Sequence, residues 1–188
     1  MKKMIALLMA LCLLLGAGAM AENAAHSDAL VVYFSCTGTT KGVAEKLAKV
    51  TGADLYEIVP AVPYTDEDLN YSDRSTRATS EQDHPDTRPE IGGEDIDLAG
   101  YNTVYIGYPN WWASIPMPIA SFLEAFDFSG KRILPFCSYG GGRFGQSLTA
   151  IAKLAPQSNL GQGLSIHYSG GSTLSEDVAA WLEENGIY

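Results

Sequence analysis

Leu30-Val31-Val32-Tyr33-Phe34 is an unbroken apolar run of aliphatic and aromatic residues with no polar face. A strand of this kind must be buried on both sides, as happens inside a parallel sheet covered by helices. Thr40 to Thr51 follows, with Val43 and Leu47, then Ala44 and Ala48, at i,i+4 spacing, and Gly52 stands where a left-handed cap would end a helix. The unit is strand, loop, helix.

The alternation continues along the chain. Strands are predicted at Leu55 to Val59, Thr103 to Tyr108, Arg132 to Cys137 and Leu164 to Tyr168. Helices are predicted from about Pro116 to Phe126 and from about Gly145 to Leu154, the second stopped by Pro156. A last helix opens with Thr173 and Glu176 in capping-box spacing and buries Val178, Trp181 and Leu182. Five strands alternating with helices predict an open, parallel α/β sheet. Pro60 to Gly100 breaks the rhythm: it is rich in Asp, Glu and Pro and poor in aliphatic residues, so it holds little core. One or two polar helical turns are predicted within Asp68 to Gln82, and the remainder reads as a solvated acidic connection.

Residues 1–21 stand apart. Met1-Lys2-Lys3 is basic, Met4 to Leu15 is apolar, and Ala19-Met20-Ala21 ends in an A-x-A pattern, the three parts of a cleaved secretory signal peptide. The apolar run is shorter than the roughly 20 residues of a membrane span. The bulky Leu11 before Cys12 argues against a lipid-modified cysteine. The expected product is residues 22–188, one domain, secreted or held in a bacterial cell envelope without stable membrane insertion. The formal charge of the whole chain is −10, and losing Lys2 and Lys3 makes it more acidic still. With no clustered Lys or Arg, nucleic acid is excluded as a partner. An acidic surface steers encounters with basic proteins instead.

Ligands of an open parallel sheet bind beyond the carboxyl ends of its strands, which directs attention to three loops. Ser35-Cys36-Thr37-Gly38-Thr39-Thr40 packs hydroxyls and a glycine ahead of a helix N-terminus. Backbone N–H groups and the helix dipole there attract an anion, and Ser and Thr add donors without charge. No Lys lies within the loop and the G-x-x-x-x-G-K-[ST] pattern is absent, so a phosphate monoester fits better than a nucleoside triphosphate. Helix capping alone would also explain these residues. Tyr108-Pro109-Asn110-Trp111-Trp112-Ala113-Ser114 places two adjacent indoles in one loop. Neighbours cannot both face one core, so one of them is available to stack on a planar ligand. In Cys137-Ser138-Tyr139-Gly140-Gly141-Gly142-Arg143-Phe144-Gly145, the glycines satisfy G-x-G-x-x-G. No Asp or Glu follows Gly142 before Glu176, so the dinucleotide reading fails. The run reads as bare backbone able to approach a flat polar edge, beside Tyr139 as a second aromatic face.

A phosphorylated molecule with a flat, hydrogen-bonding ring describes FMN. Ser35-Cys36-Thr37-Gly38-Thr39-Thr40 resembles the phosphate-loop motif T/S-x-T-G-x-T of flavodoxins. From Leu30 to Ile187 the chain is similar to flavodoxin-like proteins with a Tyr-Pro-x-Trp-Trp loop and a Pro-Phe-Cys segment, here Pro135-Phe136-Cys137. The resemblance implies a flavodoxin-like three-layer sandwich with a five-stranded parallel sheet in order 2-1-3-4-5, and FMN as cofactor. It also implies that Ser35, Cys36, Thr37, Gly38, Thr39 and Thr40 hold the phosphate. Pro109, Asn110, Trp111, Trp112 and Ala113 would flank the ring, one of the two Trp covering a face. Ser138, Tyr139, Gly140, Gly141 and Gly142 would meet the pyrimidine edge. Ala113 stands where many flavodoxins have Gly. With that strand order, the third strand separates Cys36 from Cys137 by about 9.6 Å, beyond the roughly 7 Å that a disulfide spans, so both are expected as free thiols.

The implied function is an exported flavodoxin-like electron carrier with a redox protein of basic surface as partner and no catalytic residue of its own. Two alternatives are an FMN-dependent NAD(P)H:quinone-type reductase, and a flavodoxin fold that has lost FMN and serves as an extracellular binding module. Other chemistries find no support. A cysteine nucleophile binding a phosphate dianion at Cys36 would need an Arg six positions on, where Gly42 stands. No G-x-S-x-G occurs, and His26, His84 and His167 have no metal-ligand spacing.

Overall fold

The computed structural model describes residues 27–188; the leader read at 1–21 lies outside the described residues. β1 (Ala29–Tyr33), α1 (Thr39–Thr51) and β2 (Asp54–Glu57) form the first unit. β5 (Thr103–Pro109), α3 (Met117–Ala125), β6 (Arg132–Tyr139) and α4 (Ser147–Leu154) follow the crossing segment. The chain then runs through β7 (Asn159–Leu160), β8 (Leu164–His167), a 3-10 turn (Gly171–Thr173) and α5 (Leu174–Glu184). All pairs in the main sheet are parallel, and the order is β2-β1-β5-β6, with β7 and β8 both on the outer side of β6. Counting the divided edge strand once, this is the expected 2-1-3-4-5.

The edge strand divides for a reason found in its neighbour. Ile133 C=O accepts from Gly161 N–H at 2.9 Å, so the odd-numbered residues of β6 face the edge. Pro135 lies two positions on and has no N–H to offer. Pairing stops after Leu160 and resumes at Leu164.

Alternation along the strands builds two cores. Leu30, Val32, Phe34, Val104, Ile106 and Ile133 face one way, against Ile119, Phe122 and Leu123 of α3 and Ile151 of α4. Val31, Tyr33, Tyr105, Leu134 and Phe136 face the other way, against Val43, Ala44 and Leu47 of α1 and Val178, Trp181 and Leu182 of α5. Helices thus cover both faces, giving three layers.

Three expectations shift in detail. The second strand ends at Glu57, and Val59–Pro60 leaves the main sheet as β3 to pair antiparallel with β4 (Ile91–Gly92). The long segment contains α2 (Arg77–Asp83), whose N-cap Thr76 accepts from Thr79 N–H. The Thr173/Glu176 capping box does not form: the 3-10 turn leaves Thr173 in helical φ/ψ with no capping bond, and its hydroxyl bonds Asp177 at 2.9 Å. Among the described residues no helix is long and apolar enough to cross a membrane.

Candidate functional site

β1, β5 and β6 are neighbours and parallel, so the loops leaving their carboxyl ends converge on one mouth. Each of the three loops singled out in the sequence is there.

At the first, Gly38 occupies the N-cap of α1 with φ 82°, in the left-handed region that only glycine enters freely. No side chain caps the helix, and no acidic residue lies in its first turn. The first amide with an intrahelical acceptor is Gly42 N–H, to Gly38 C=O at 3.0 Å. The amides before it therefore face outward, beside the exposed Cys36, Thr37 and Gly38 and the half-buried Ser35 and Thr39. Thr37 and Thr39 hydroxyls lie 3.3 Å apart. Thr40 differs from its neighbours: it is buried, and its hydroxyl bonds Ser138 Oγ at 2.8 Å. The hydroxyls of Thr40 and Ser138 thus serve each other and tie α1 to the end of β6. Desolvation pushes the Cys36 thiol up to about 12 against the opposing pull of the nearby Arg77 guanidinium. Cys36 and Cys137 are both free, with β5 between their strands.

In the second loop Pro109 closes β5, and Trp111 and Ser114 exchange both backbone hydrogen bonds, at 3.1 and 2.9 Å. Trp112 (φ 47°) and Ala113 (φ 61°) form the two central positions of this tight turn. Positive φ at both is the type I′ pattern, normally given to Asn or Gly, so a Trp-Ala pair holds strain there. The turn separates the indoles. Trp111 points inward, 2% exposed, edge-on to Phe34 at 5.5 Å and Tyr64 at 5.3 Å. Trp112 stands at the mouth, 41% exposed. The ring available for stacking is therefore Trp112.

The second and third loops are bound together. Asn110 N–H donates to Ser138 C=O at 2.8 Å, and Ala113 C=O accepts from Gln146 N–H at 2.7 Å. Gly145 makes the latter approach possible: a Cβ there would lie 2.2 Å from the Ala113 oxygen. Asn110 Nδ2 reaches Gly141 C=O at 3.4 Å, while its Oδ1 is buried with no partner. A Cβ at Gly141 would meet nothing within 4 Å. Tyr139 lies 5.3 Å from the His167 ring, which in turn lies 4.4 Å from Tyr168.

The long segment contributes residues that sequence reasoning missed. Tyr64 wedges its ring against both Phe34 and Trp111, 5.7 and 5.3 Å away, directly behind the first two loops. Arg77 lies 4.0 Å over the Tyr64 ring and binds Glu81 Oε1 at 2.7 Å, while Tyr64 OH donates to Glu81 Oε2. Glu81 is buried. Gln82 Nε2 donates to Ile115 C=O at 3.0 Å, and Tyr71 lies 4.9 Å from Trp112. The available signal was a pair of tyrosines in a stretch otherwise too polar to need them.

An open parallel sheet with an uncapped helix N-terminus and aromatic rings at its mouth defines a protein built to hold a planar, anionic ligand. Comparison with known proteins agrees. The family model described as Flavodoxin matches residues 28–185. No curated protein matches the chain. Among solved structures, a candidate flavoprotein from Bacteroides eggerthii is 37% identical, with 85% of this chain and 98% of that one covered and a TM-score of 0.77. A second, from Bacteroides uniformis, is 35% identical over 82% of this chain and 97% of that one, with a TM-score of 0.76. A flavoprotein from Lactobacillus acidophilus, solved in complex with FMN, shares the fold at 22% identity over 81% of this chain and 97% of that one, with a TM-score of 0.61. The chain belongs to the flavodoxin family.

Proposed function

We propose that this protein binds FMN at the mouth formed by the three loops and works as an exported electron carrier. The observation that carries the reading is the N-terminus of α1, with free amides, hydroxyls from Ser35, Thr37 and Thr39, and no acidic residue in its first turn. Such a terminus takes a phosphate monoester through backbone donors and the helix dipole, while Lys41 in the same turn pairs with Glu57 at 3.7 Å. The rest of the site fits the group. Trp112 offers an exposed ring, Tyr139 a half-buried one, and Gly141 leaves its backbone bare for a polar edge. Asn110, whose buried Oδ1 has no partner, ties the Trp loop to the glycine loop. The FMN held by the Lactobacillus acidophilus flavoprotein supports the same assignment.

FMN, once bound, supplies one- or two-electron chemistry. The chain's own residues bind and orient it. Thr40 and Ser138 fix the distance between phosphate loop and glycine loop, Asn110 and Gln146 hold the Trp loop, and Trp112 covers a ring face. Burial pushes the thiol of the fully buried Cys137 up to about 12.

The carrier reading is favoured over a nicotinamide-dependent reductase by charge. Asp66, Glu67 and Asp73 are exposed on the segment that carries Tyr71, and its three arginines, Arg74, Arg77 and Arg88, are paired with Asp83, Glu81 and Glu124. Such a rim repels a polyanionic dinucleotide and attracts a basic redox protein. Export rests on the leader pattern at 1–21 and would show as a mature N-terminus at Glu22. The test of function is an absorbance spectrum of purified protein before and after addition of FMN and removal of excess. Retained flavin absorbance, without NAD(P)H oxidation, is expected; a protein that stays colourless contradicts the reading.

A further inference from the structure

Tyr71 and Trp112 are large aromatic residues that the fold leaves uncovered, 59% and 41% exposed, yet their rings lie against each other at 4.9 Å with a 47° tilt. Core packing explains neither. Trp112 is carried to the mouth by a turn with two non-glycine residues at positive φ. Tyr71 comes from the opposite direction, on a segment anchored on both sides of it. Before it, Tyr64 is wedged against Phe34 and Trp111; after it, Gln82 binds the backbone of Ile115 at the end of the Trp loop.

Building on the FMN reading, we propose that Tyr71 is a ligand-contacting residue, a third aromatic ring of the flavin site alongside Trp112 and Tyr139. The segment 61–90 then has a role beyond connecting strands: it sets a ring against the exposed indole of the Trp loop. A side chain with an apolar body and a polar tip suits the wet edge of a site that holds a flat ring. The contact is made by the ring, so replacements that keep a ring preserve it.

The test titrates FMN with FMN-free protein, following flavin fluorescence, for wild type, Tyr71→Ala, Tyr71→Phe and Tyr71→Trp. Tyr71→Ala is expected to weaken the dissociation constant about three- to tenfold, the span of one aromatic contact. Tyr71→Phe and Tyr71→Trp are expected to stay within about twofold of wild type. The unfolding midpoint of FMN-free Tyr71→Ala should stay within about 2 °C of wild type, because the side chain is exposed. Unchanged or tighter binding by Tyr71→Ala overturns the proposal, as does equal loss in the ring-bearing variants. Wild type that takes up no FMN overturns the functional reading itself; wild type that binds while Tyr71→Ala binds equally well removes only this inference.

Discussion

The sheet and the segment that crosses its mouth are held by different chemistry. In the sheet, the side chains of β1, β5 and β6 are almost all buried, and two apolar cores fix their positions. Between residues 61 and 100 the fully buried apolar side chains are Ala78 and Leu98. That region is held by polar clamps: Thr65 N–H to Asp68 at 2.9 Å, Ser75 to Asp73, the Arg77–Glu81–Tyr64 cluster, and a two-pronged Arg88–Glu124 pair at 2.8 Å. Burial holds the phosphate and glycine loops in a fixed frame. Directional bonds hold the segment, so it can open without the sheet unfolding.

Substitutions separate the two regimes. Phe122→Ala empties a fully buried site where α3 packs on the sheet, beside Phe126 at 4.7 Å and Tyr56 at 5.9 Å. It should cost about 3–5 kcal/mol of global stability in denaturant titration; a cost under about 1 kcal/mol would mean the core is not packed as described. Glu81→Gln removes the charge that Arg77 and Tyr64 converge on, an expected loss of about 1–2 kcal/mol. The loss should appear as faster hydrogen exchange and proteolysis confined to residues 61–90. Equal loss of protection in β5 and β6 would erase the distinction between the regions.

The smallest effect comes from Glu124. Hydrogen bonding to Arg88 holds its carboxyl below the ordinary value. A lowered folded-state pKa adds stability above the unfolded pKa and loses it as pH falls through the folded one. Both side chains are partly exposed, so the contribution is under about 1 kcal/mol after solvent screening. Glu124→Gln should therefore narrow slightly the stability difference between neutral and acidic pH. A variant that widens it would assign the pair the wrong sign.

The same division explains what the sequence made legible. Leu30–Phe34 declares a buried strand because burial on both faces requires an unbroken apolar run, and the i,i+4 pairs of α1 follow from one buried helix face. Composition also located the three loops, since free amides and bare backbone demand Ser, Thr and Gly. It could not say which hydroxyl turns inward: Thr40 and Ser138 look like their neighbours until the sheet brings them to 2.8 Å. Nor could it sort Trp111 from Trp112, which depends on a turn that neither residue favours. Tyr64 stayed hidden for another reason. Tyr64 meets Glu81 and Trp111 across stretches with no periodicity, whereas the Arg77–Glu81 pair, at i,i+4 on one helix, is a pattern the sequence did offer.

The central claim is that backbone amides and hydroxyls at the N-terminus of α1 grip the phosphate, with Lys41 turned to Glu57 at 3.7 Å, while aromatic rings hold the flat end. Parallel titrations with FMN and with riboflavin, which lacks the phosphate, test it most directly. Charge-assisted bonds from several amides should make FMN bind at least about tenfold more tightly. Equal affinity for the two flavins would contradict the account.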